Sequence, residues 1–215
     1  MILGIIPARG GSKGIPRKNI KLICGHPLLA WTIKDAQNSK LLDSFTVSTE
    51  DDEIAQVAKQ YGASVLRRPQ ELSADDVVSR EVVAHALRIL GGDLAVLMQC
   101  TSPVRRPGLI DKVIQSCLDW GWDSMSTGFP YYNYPPHGVE HRRQDITTVF
   151  VNDGSVIASN AQVVLNGSLF GDKAGTMVTT KEENVDIDDD YDFWLAGKII
   201  EKGLDEGWLK PPRTH

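Results

Sequence analysis

The sequence has few cysteines, no excess of basic charge and no long apolar run. Its three cysteines do not form a C-x-x-C pair, so it offers neither a disulfide framework nor a thiolate metal site. The formal net charge of −5 argues against the broad basic face of a nucleic-acid-binding protein. No apolar segment approaches the roughly 20 residues of a membrane-spanning helix. The N-terminus also lacks the basic region and small-residue cleavage site of a signal peptide. We therefore expect a cytoplasmic protein with free thiols and without nucleic-acid or membrane partners.

Strand-like and helix-like segments alternate from residue 1 to about 128. Short apolar runs such as ILGIIP, SFTVST and DLAVLMQC are typical of buried strands. The segment EDDEIAQVAKQYG has the acidic first turn and the terminal glycine of a helix. This alternation predicts an α/β fold in a single domain over 1–215, with a mostly parallel, Rossmann-like sheet and helices on both faces.

The alternation breaks at FPYYNYPPHGVEHRRQD. Proline is excluded from central strands, so we predict a short strand SMSTG and then a small protruding arm over 130–150. Beyond the arm we expect a strand and short helix in VFVNDGSVIASNAQVVL, a strand in GTMVTT, and an acidic strand edge that leads into an amphipathic C-terminal helix.

The loop PARGGSKGIPRKN, directly after the first predicted strand, concentrates positive charge on Arg9, Lys13, Arg17 and Lys18. Ligands of open α/β sheets bind beyond the carboxyl ends of the strands. Glycines allow backbone N–H groups to turn toward an anion. The loop is neither a Walker motif nor G-x-G-x-x-G. So many positive charges in one loop favour binding of a triphosphate, or of the pyrophosphate that leaves it. The alternative is a solvated basic turn.

The acidic segment VDIDDDYD is the second candidate for chemistry. In a strand, residues two apart point the same way, so Asp186 and Asp188 would present two carboxylates to one Mg²⁺. A solvated acidic edge is the alternative. Asp189, Asp190 and Asp192 are expected at the start of the last helix, where acids interact favourably with the helix dipole. A triphosphate loop and a carboxylate pair together indicate metal-assisted nucleotidyl transfer.

Two further segments carry polar side chains near predicted strand ends. LMQCTSPVRRP offers Gln99 and Arg105, although a capped helix start explains the same residues. LRRPQELSADDVVSRE offers Arg68 and Ser79. We predict Ser79 as the cap of the following helix, with a hydroxyl that can also face a ligand.

Five segments, in this order, resemble the acylneuraminate cytidylyltransferase family, whose members make CMP-sialic acid and related CMP-activated sugars. They are IPARGGSKGIPRKN, VSTEDDEIAQVAKQYGA, RRPQELSADDVVS, LMQCTSPVRRP and SLFGDKAGTMVTTKEENVDIDDDYDF. The resemblance covers nearly the whole chain and implies a fold of the nucleotide-diphospho-sugar transferase type. It also implies a reaction in which the anomeric hydroxyl of a nonulosonic acid attacks the α-phosphate of CTP and pyrophosphate leaves, with Mg²⁺, or Mn²⁺, as the cofactor.

The resemblance further implies roles for individual residues. The CTP-binding positions are Arg9, Ser12, Lys13, Lys18, Asn19, Arg68 and Ser79. Arg9, Lys13 and Asp188 would be catalytic, and Asp186 and Asp188 would bind the metal. The positions implied for the sugar acid are Gln99, Arg143, Gln144 and Asp153. The 130–150 arm would pack on a second subunit, which implies a homodimer.

The chain departs from the family pattern at a few positions, and most of them lie on the sugar side. Cys100 replaces a proline, Val151 and Asp153 replace Arg and Asn, and His137 stands where some members have lysine. The identity of the sugar acid therefore stays open. A sialic-type acid is the first expectation, and legionaminic, pseudaminic and 3-deoxy-octulosonic acids are alternatives. A nucleotide-binding homologue with reduced catalysis is the alternative from a different class.

Overall fold

A seven-stranded sheet forms the centre of the fold. The structure is a computed structural model, and it describes residues 1–132 and 148–214. The strands are β1 (Ile2–Pro7), β2 (Leu22–Ile23), β3 (His26–Pro27), β4 (Ser44–Thr49), β5 (Ser64–Arg67), β6 (Leu94–Leu97), β7 (Ser124–Tyr132), β8 (Thr148–Asn160) and β9 (Ala174–Val178). The helices are α1 (Leu28–Asn38), α2 (Asp52–Gln60), α3 (Ser79–Leu90), α4 (Leu109–Asp119), α5 (Ala161–Leu165) and α6 (Asp190–Asp205).

The strand order is β5-β4-β1-β6-β8-β7-β9, and β2 and β3 form a separate hairpin. Strand β1 pairs in parallel with β4 and β6, and β4 pairs in parallel with β5. Strand β8 lies between β6 and β7 and runs antiparallel to both. The mostly parallel sheet predicted from the alternation is confirmed, and its parallel half brings the carboxyl ends of β1, β4, β5 and β6 to one edge.

Helices cover both faces, as predicted. Alternate strand residues point to opposite faces, so Ile6 and Val96 pack in a cluster with α1, α2 and α4, whereas Leu3 and Leu97 pack in a cluster with α3 and α5. A third cluster joins α6 to the fully buried Trp31 of α1. None of the helices within the described ranges has the length and apolarity needed to cross a bilayer.

Strand β7 is longer than predicted, since it continues through Pro130 to Tyr132. Strand β9 pairs only with Ser124–Gly128 of β7, while β8 pairs with β7 from Ser124 to Tyr132. Pro130, which is opposite Phe150, therefore lies beyond the paired length of β9, and an edge position tolerates proline. Most of the predicted 130–150 arm, residues 133–147, lies outside the described residues.

The acidic segment before α6 is not the strand edge that we predicted. Residues 181–188 form no strand, and the backbone N–H of Ile187 donates instead to the carbonyl oxygen of Thr101 at 2.8 Å. The burial of Ile187 alternates with the exposure of Asp186 and Asp188. The segment thus keeps the side-chain alternation of a strand without strand pairing.

The predicted acidic start of the last helix is confirmed. Asp189 is the N-cap of α6 and forms a capping box with Asp192, and Asp190 and Asp192 lie in the first turn. Their carboxylates satisfy and complement the free N–H groups of the helix terminus.

Candidate active site

A cavity of about 450 Å³ opens at the carboxyl ends of β1, β5 and β6. Ten of the residues that the sequence proposes for CTP, metal and sugar line it: Arg9, Ser12, Lys13, Lys18, Asn19, Arg68, Ser79, Gln99, Asp186 and Asp188. These residues come from five separate segments of the chain. The structure therefore brings the basic loop and the aspartate pair together on one cavity.

Acidic residues that follow β4 hold the basic loop in place. The backbone N–H of Gly10 donates to Glu50 at 2.7 Å. Arg17 donates to both carboxylate oxygens of Asp51, at 2.5 and 2.9 Å, and to Glu53 at 2.6 Å. Arg17 does not line the cavity, so it does not belong with the other cations of the loop. It fixes the loop to the start of α2, which leaves Arg9, Lys13 and Lys18 to face the cavity.

Two of those three cations share one acidic partner. Arg9 lies 2.7 Å from one carboxylate oxygen of Asp75, and Lys13 lies 2.5 Å from the other. The carbonyl oxygen of Arg9 accepts a hydrogen bond of 2.9 Å from the buried Asn19 side chain. Asn19 therefore supports the backbone that presents Arg9.

Arg68 and Glu50 form a buried ion pair at the cavity wall. Their side chains are 3% and 10% exposed, and the closest nitrogen–oxygen distance is 3.0 Å. Ser73 joins them by accepting from Arg68 and donating to Glu50. Burial acts to raise the pKa of Glu50, but hydrogen bonds from Gly10 and Ser73 outweigh it, so the pKa is lowered. The carboxylate therefore stays charged, as the arginine requires.

Asp186 and Asp188 also line the cavity. Desolvation at the cavity wall raises the pKa of Asp186, a hydrogen bond with Thr101 acts against it, and the charge of Asp188 raises it further. A divalent cation would relieve this repulsion. Magnesium is commonly held by one or two carboxylates together with substrate phosphates. The pair fits that donor set, and within the described residues no group of three or more acidic, histidine or cysteine side chains offers a larger one.

Lys18 links the basic loop to the acidic segment. Its ammonium group donates to the carbonyl oxygen of Ile187 and lies 3.9 Å from the carboxylate of Asp188. The lysine side chain is only 13% exposed. It therefore both positions the acidic segment and places a positive charge beside it.

Ser79 does not cap α3, contrary to prediction. The N-cap is Val78, whose apolar side chain makes no capping hydrogen bond. The Ser79 hydroxyl accepts instead from the amide of Gln99 at 3.5 Å, and both side chains line the cavity. Arg105, for which a place near a ligand and a place in a capped helix start were both open, is fully buried and donates to the carbonyl oxygens of Gln99 and Ser155. It supports the strand end and does not line this cavity.

Asp153 does not join the cavity. It is 7% exposed, and its carboxylate accepts hydrogen bonds from the hydroxyl of Thr127 at 2.6 Å, the N–H of Ser155 at 2.9 Å and the hydroxyl of Thr179 at 2.9 Å. These bonds occupy it within the sheet. Arg143 and Gln144, and His137 with them, lie outside the described residues.

Glu50 and Asp75 were missed by the sequence reasoning as site residues. Glu50 follows β4 at the same sheet edge as the basic loop, so a search for acids directly after strands would have found it. Asp75 lies in the segment between β5 and α3, and nothing in its spacing indicates that it would meet Arg9 and Lys13.

Together, the doubly covered sheet and its cation- and carboxylate-lined cavity define an α/β protein of the nucleotidyltransferase type. The fold is similar to that of a CMP:2-keto-3-deoxy-manno-octonic acid synthetase solved in complex with CTP. The TM-score is 0.76 and the sequence identity is 14%, over 94% of this chain and 99% of that one. At this identity the likeness shows the fold alone.

The cytidylyltransferase family model matches residues 3–152, and the chain belongs to that family. It is 33% identical to N-acylneuraminate cytidylyltransferase A of Danio rerio over 93% of this chain and 50% of that protein. It is 30% identical to the pseudaminic acid cytidylyltransferase of Campylobacter jejuni over 93% of this chain and 96% of that protein. The chain thus spans about half the length of the N-acylneuraminate relatives and nearly the full length of the pseudaminic acid relative.

Proposed function

We propose that this protein transfers a cytidylyl group from CTP to a nonulosonic acid of the sialic type, with release of pyrophosphate. The observation that carries the proposal is the cavity, which is lined by Arg9, Lys13 and Lys18 together with Asp186 and Asp188. Cations and a carboxylate pair on one cavity suit a triphosphate, which needs charge neutralisation on its leaving part and a metal at the reacting phosphate.

The proposed roles follow from position. Arg9 and Lys13 bind the β- and γ-phosphates and stabilise the charge that develops on the leaving pyrophosphate. Ser12, Lys18 and Asn19 complete the loop around the nucleotide, and Arg68 and Ser79 supply further contacts to CTP. Gln99, beside Ser79, is left for the sugar acid.

Asp186 and Asp188 would hold Mg²⁺, or Mn²⁺ in its place. When bound, the metal ion supplies Lewis-acid polarisation and neutralises charge on the phosphates. Lys18, next to Asp188, limits the negative charge of the pair.

The substrate class is supported by the relatives, whose names cover N-acylneuraminate and pseudaminic acid. Asp153 is left out of the sugar site, since its hydrogen bonds lie within the sheet. We further propose that the chain acts as a homodimer through the 130–150 arm and works in the cytoplasm. The free state of Cys24, Cys100 and Cys117 supports a reducing compartment.

The test is pyrophosphate release from CTP with a panel of acids: N-acetylneuraminic, legionaminic, pseudaminic and 3-deoxy-octulosonic. We expect turnover with a nine-carbon acid, none after chelation of Mg²⁺, and none with ATP or UTP. Turnover with the eight-carbon acid alone would shift the substrate class. Binding of CTP without turnover on any acid would favour a nucleotide-binding homologue that lacks the chemistry.

A further inference from the structure

Asp75 pairs with the two cations that the proposed function assigns to the leaving pyrophosphate. Its Oδ1 accepts from Nη1 of Arg9 at 2.7 Å, and its Oδ2 lies 2.5 Å from Nζ of Lys13. All three residues line the same cavity. One carboxylate therefore bridges the two cations with a different oxygen on each, as a phosphate group would.

The surroundings of Asp75 suit a carboxylate that exchanges with an anion. It lies between the turn Gln70–Ser73 and the start of α3, and its side chain is 47% exposed. Lys13 first, and then Arg9, holds the pKa of Asp75 below its ordinary value, so the carboxylate is charged at neutral pH. A polyphosphate that approaches these cations meets a negative charge already paired with them.

We propose that Asp75 is a specificity-determining residue that competes with polyphosphates for Arg9 and Lys13. The proposal rests on the proposed function for its place in the reaction. CTP offsets the competition through its further contacts with Arg68 and Ser79. Pyrophosphate lacks a nucleoside, so it cannot make those further contacts and is displaced more readily. Asp75 thus favours release of the product and keeps small phosphate anions off the loop.

The test measures binding of inorganic pyrophosphate by calorimetry to the wild-type chain, Asp75→Asn and Asp76→Asn. Asp76 is the matched control, since it is the exposed neighbour of the same charge and does not line the cavity. Loss of two partly exposed ion pairs should tighten pyrophosphate binding about three- to tenfold in Asp75→Asn. Asp76→Asn should stay within about twofold of wild type, because a solvated charge outside the cavity is largely screened.

Equal binding by the two variants, weaker binding by Asp75→Asn, or no pyrophosphate binding by any of the three proteins overturns the proposal. Asp75→Ser removes the same charge in a second way. The unfolding midpoints of all variants show whether misfolding is responsible for an effect on binding. Because no sugar acid is needed, the result is separate from that for the proposed function. If the wild type turns over CTP and Asp75→Asn binds pyrophosphate no more tightly, only the role of Asp75 falls. If no acid is activated but binding still tightens, only the reaction falls.

Discussion

Gly14 packs directly against the backbone of Asp188, because a Cβ added to Gly14 would lie 2.3 Å from the carbonyl oxygen of Asp188. The basic loop and the aspartate pair are therefore in direct contact, and the contact requires glycine. Lys18 adds a second link, through the carbonyl oxygen of Ile187. The phosphate-binding and metal-binding halves of the proposed site form one unit, so a disturbance of one is expected to affect the other.

Gly14→Ala should separate these halves. A new methyl group against a backbone oxygen forces the loop or the acidic segment to shift, so we expect kcat/KM for CTP to fall by about tenfold or more and the free energy of unfolding by roughly 1–3 kcal/mol. Gly11→Ala in the same loop is the control, because its Cβ would meet no atom within 4 Å. Equal losses in the two variants would show that loop stiffening, and not the contact with Asp188, is responsible.

Asp188→Asn should remove Mg²⁺-dependent turnover while the fold survives. The Asp188 side chain is 86% exposed, so little stability depends on it, whereas loss of a metal ligand should lower kcat by about a hundredfold or more. Asp190→Asn is the control, because Asp190 is also exposed, pairs with Lys21 at 3.1 Å and lies outside the cavity. Near-normal kcat for Asp188→Asn over a Mg²⁺ titration would refute the metal assignment.

Gly154→Ala should weaken binding of the sugar acid and leave binding of CTP nearly unchanged. A Cβ at Gly154 would lie 2.3 Å from the Gln99 side-chain oxygen, so the Gln99 side chain must move. We expect KM for the sugar acid to rise about tenfold, as for a lost polar contact, with KM for CTP within about twofold. Gly121→Ala is the control: both glycines have positive φ, 68° and 58°, but a Cβ at Gly121 meets nothing within 4 Å. If KM for CTP rises as much, Gln99 does not belong to the sugar side.

Asp51→Asn should reduce stability at neutral pH but not in acid. The hydrogen bond from Arg17 is the main cause that lowers the pKa of Asp51 to about 2. A lowered pKa means that the charged carboxylate stabilises the fold above about pH 4, and that this contribution disappears as the pH falls toward 2. Arg17 is 39% exposed, so after allowing for solvent screening we expect a loss of about 1 kcal/mol at pH 7.

Urea unfolding at pH 7, 5, 4 and 3 measures the effect of Asp51→Asn. The stability curves of the variant and the wild type should converge as the pH falls. The control is Asp52→Asn, whose side chain is 94% exposed beside Arg67 and should change stability by less than about 0.5 kcal/mol at every pH. A difference between Asp51→Asn and wild type that is the same at pH 7 and pH 3 would mean that the charge on Asp51 is not its source.

The sequence by itself determined the layout of the fold and most of the residues that line the candidate site. Apolar periodicity is local, so it located β1, β4 and β6 and the helices between them. Because the carboxyl ends of parallel strands lie at one sheet edge, where ligands of open α/β sheets bind, the basic loop and Gln99 were then expected at that edge. The spacing of Asp186 and Asp188 also predicted that both would lie at one site. The strand on which that prediction was based is not formed.

Only the tertiary structure decided which partner each charge takes. Arg17 turns to Asp51, Arg9 and Lys13 share Asp75, and Asp153 is enclosed within the sheet. These outcomes depend on contacts between segments far apart in the chain, and the spacing of residues along one segment carries no information about them. Charge and glycine content could predict an anion-binding loop; which of its cations remain available to the anion depended on where the acids of other strands and loops come to lie.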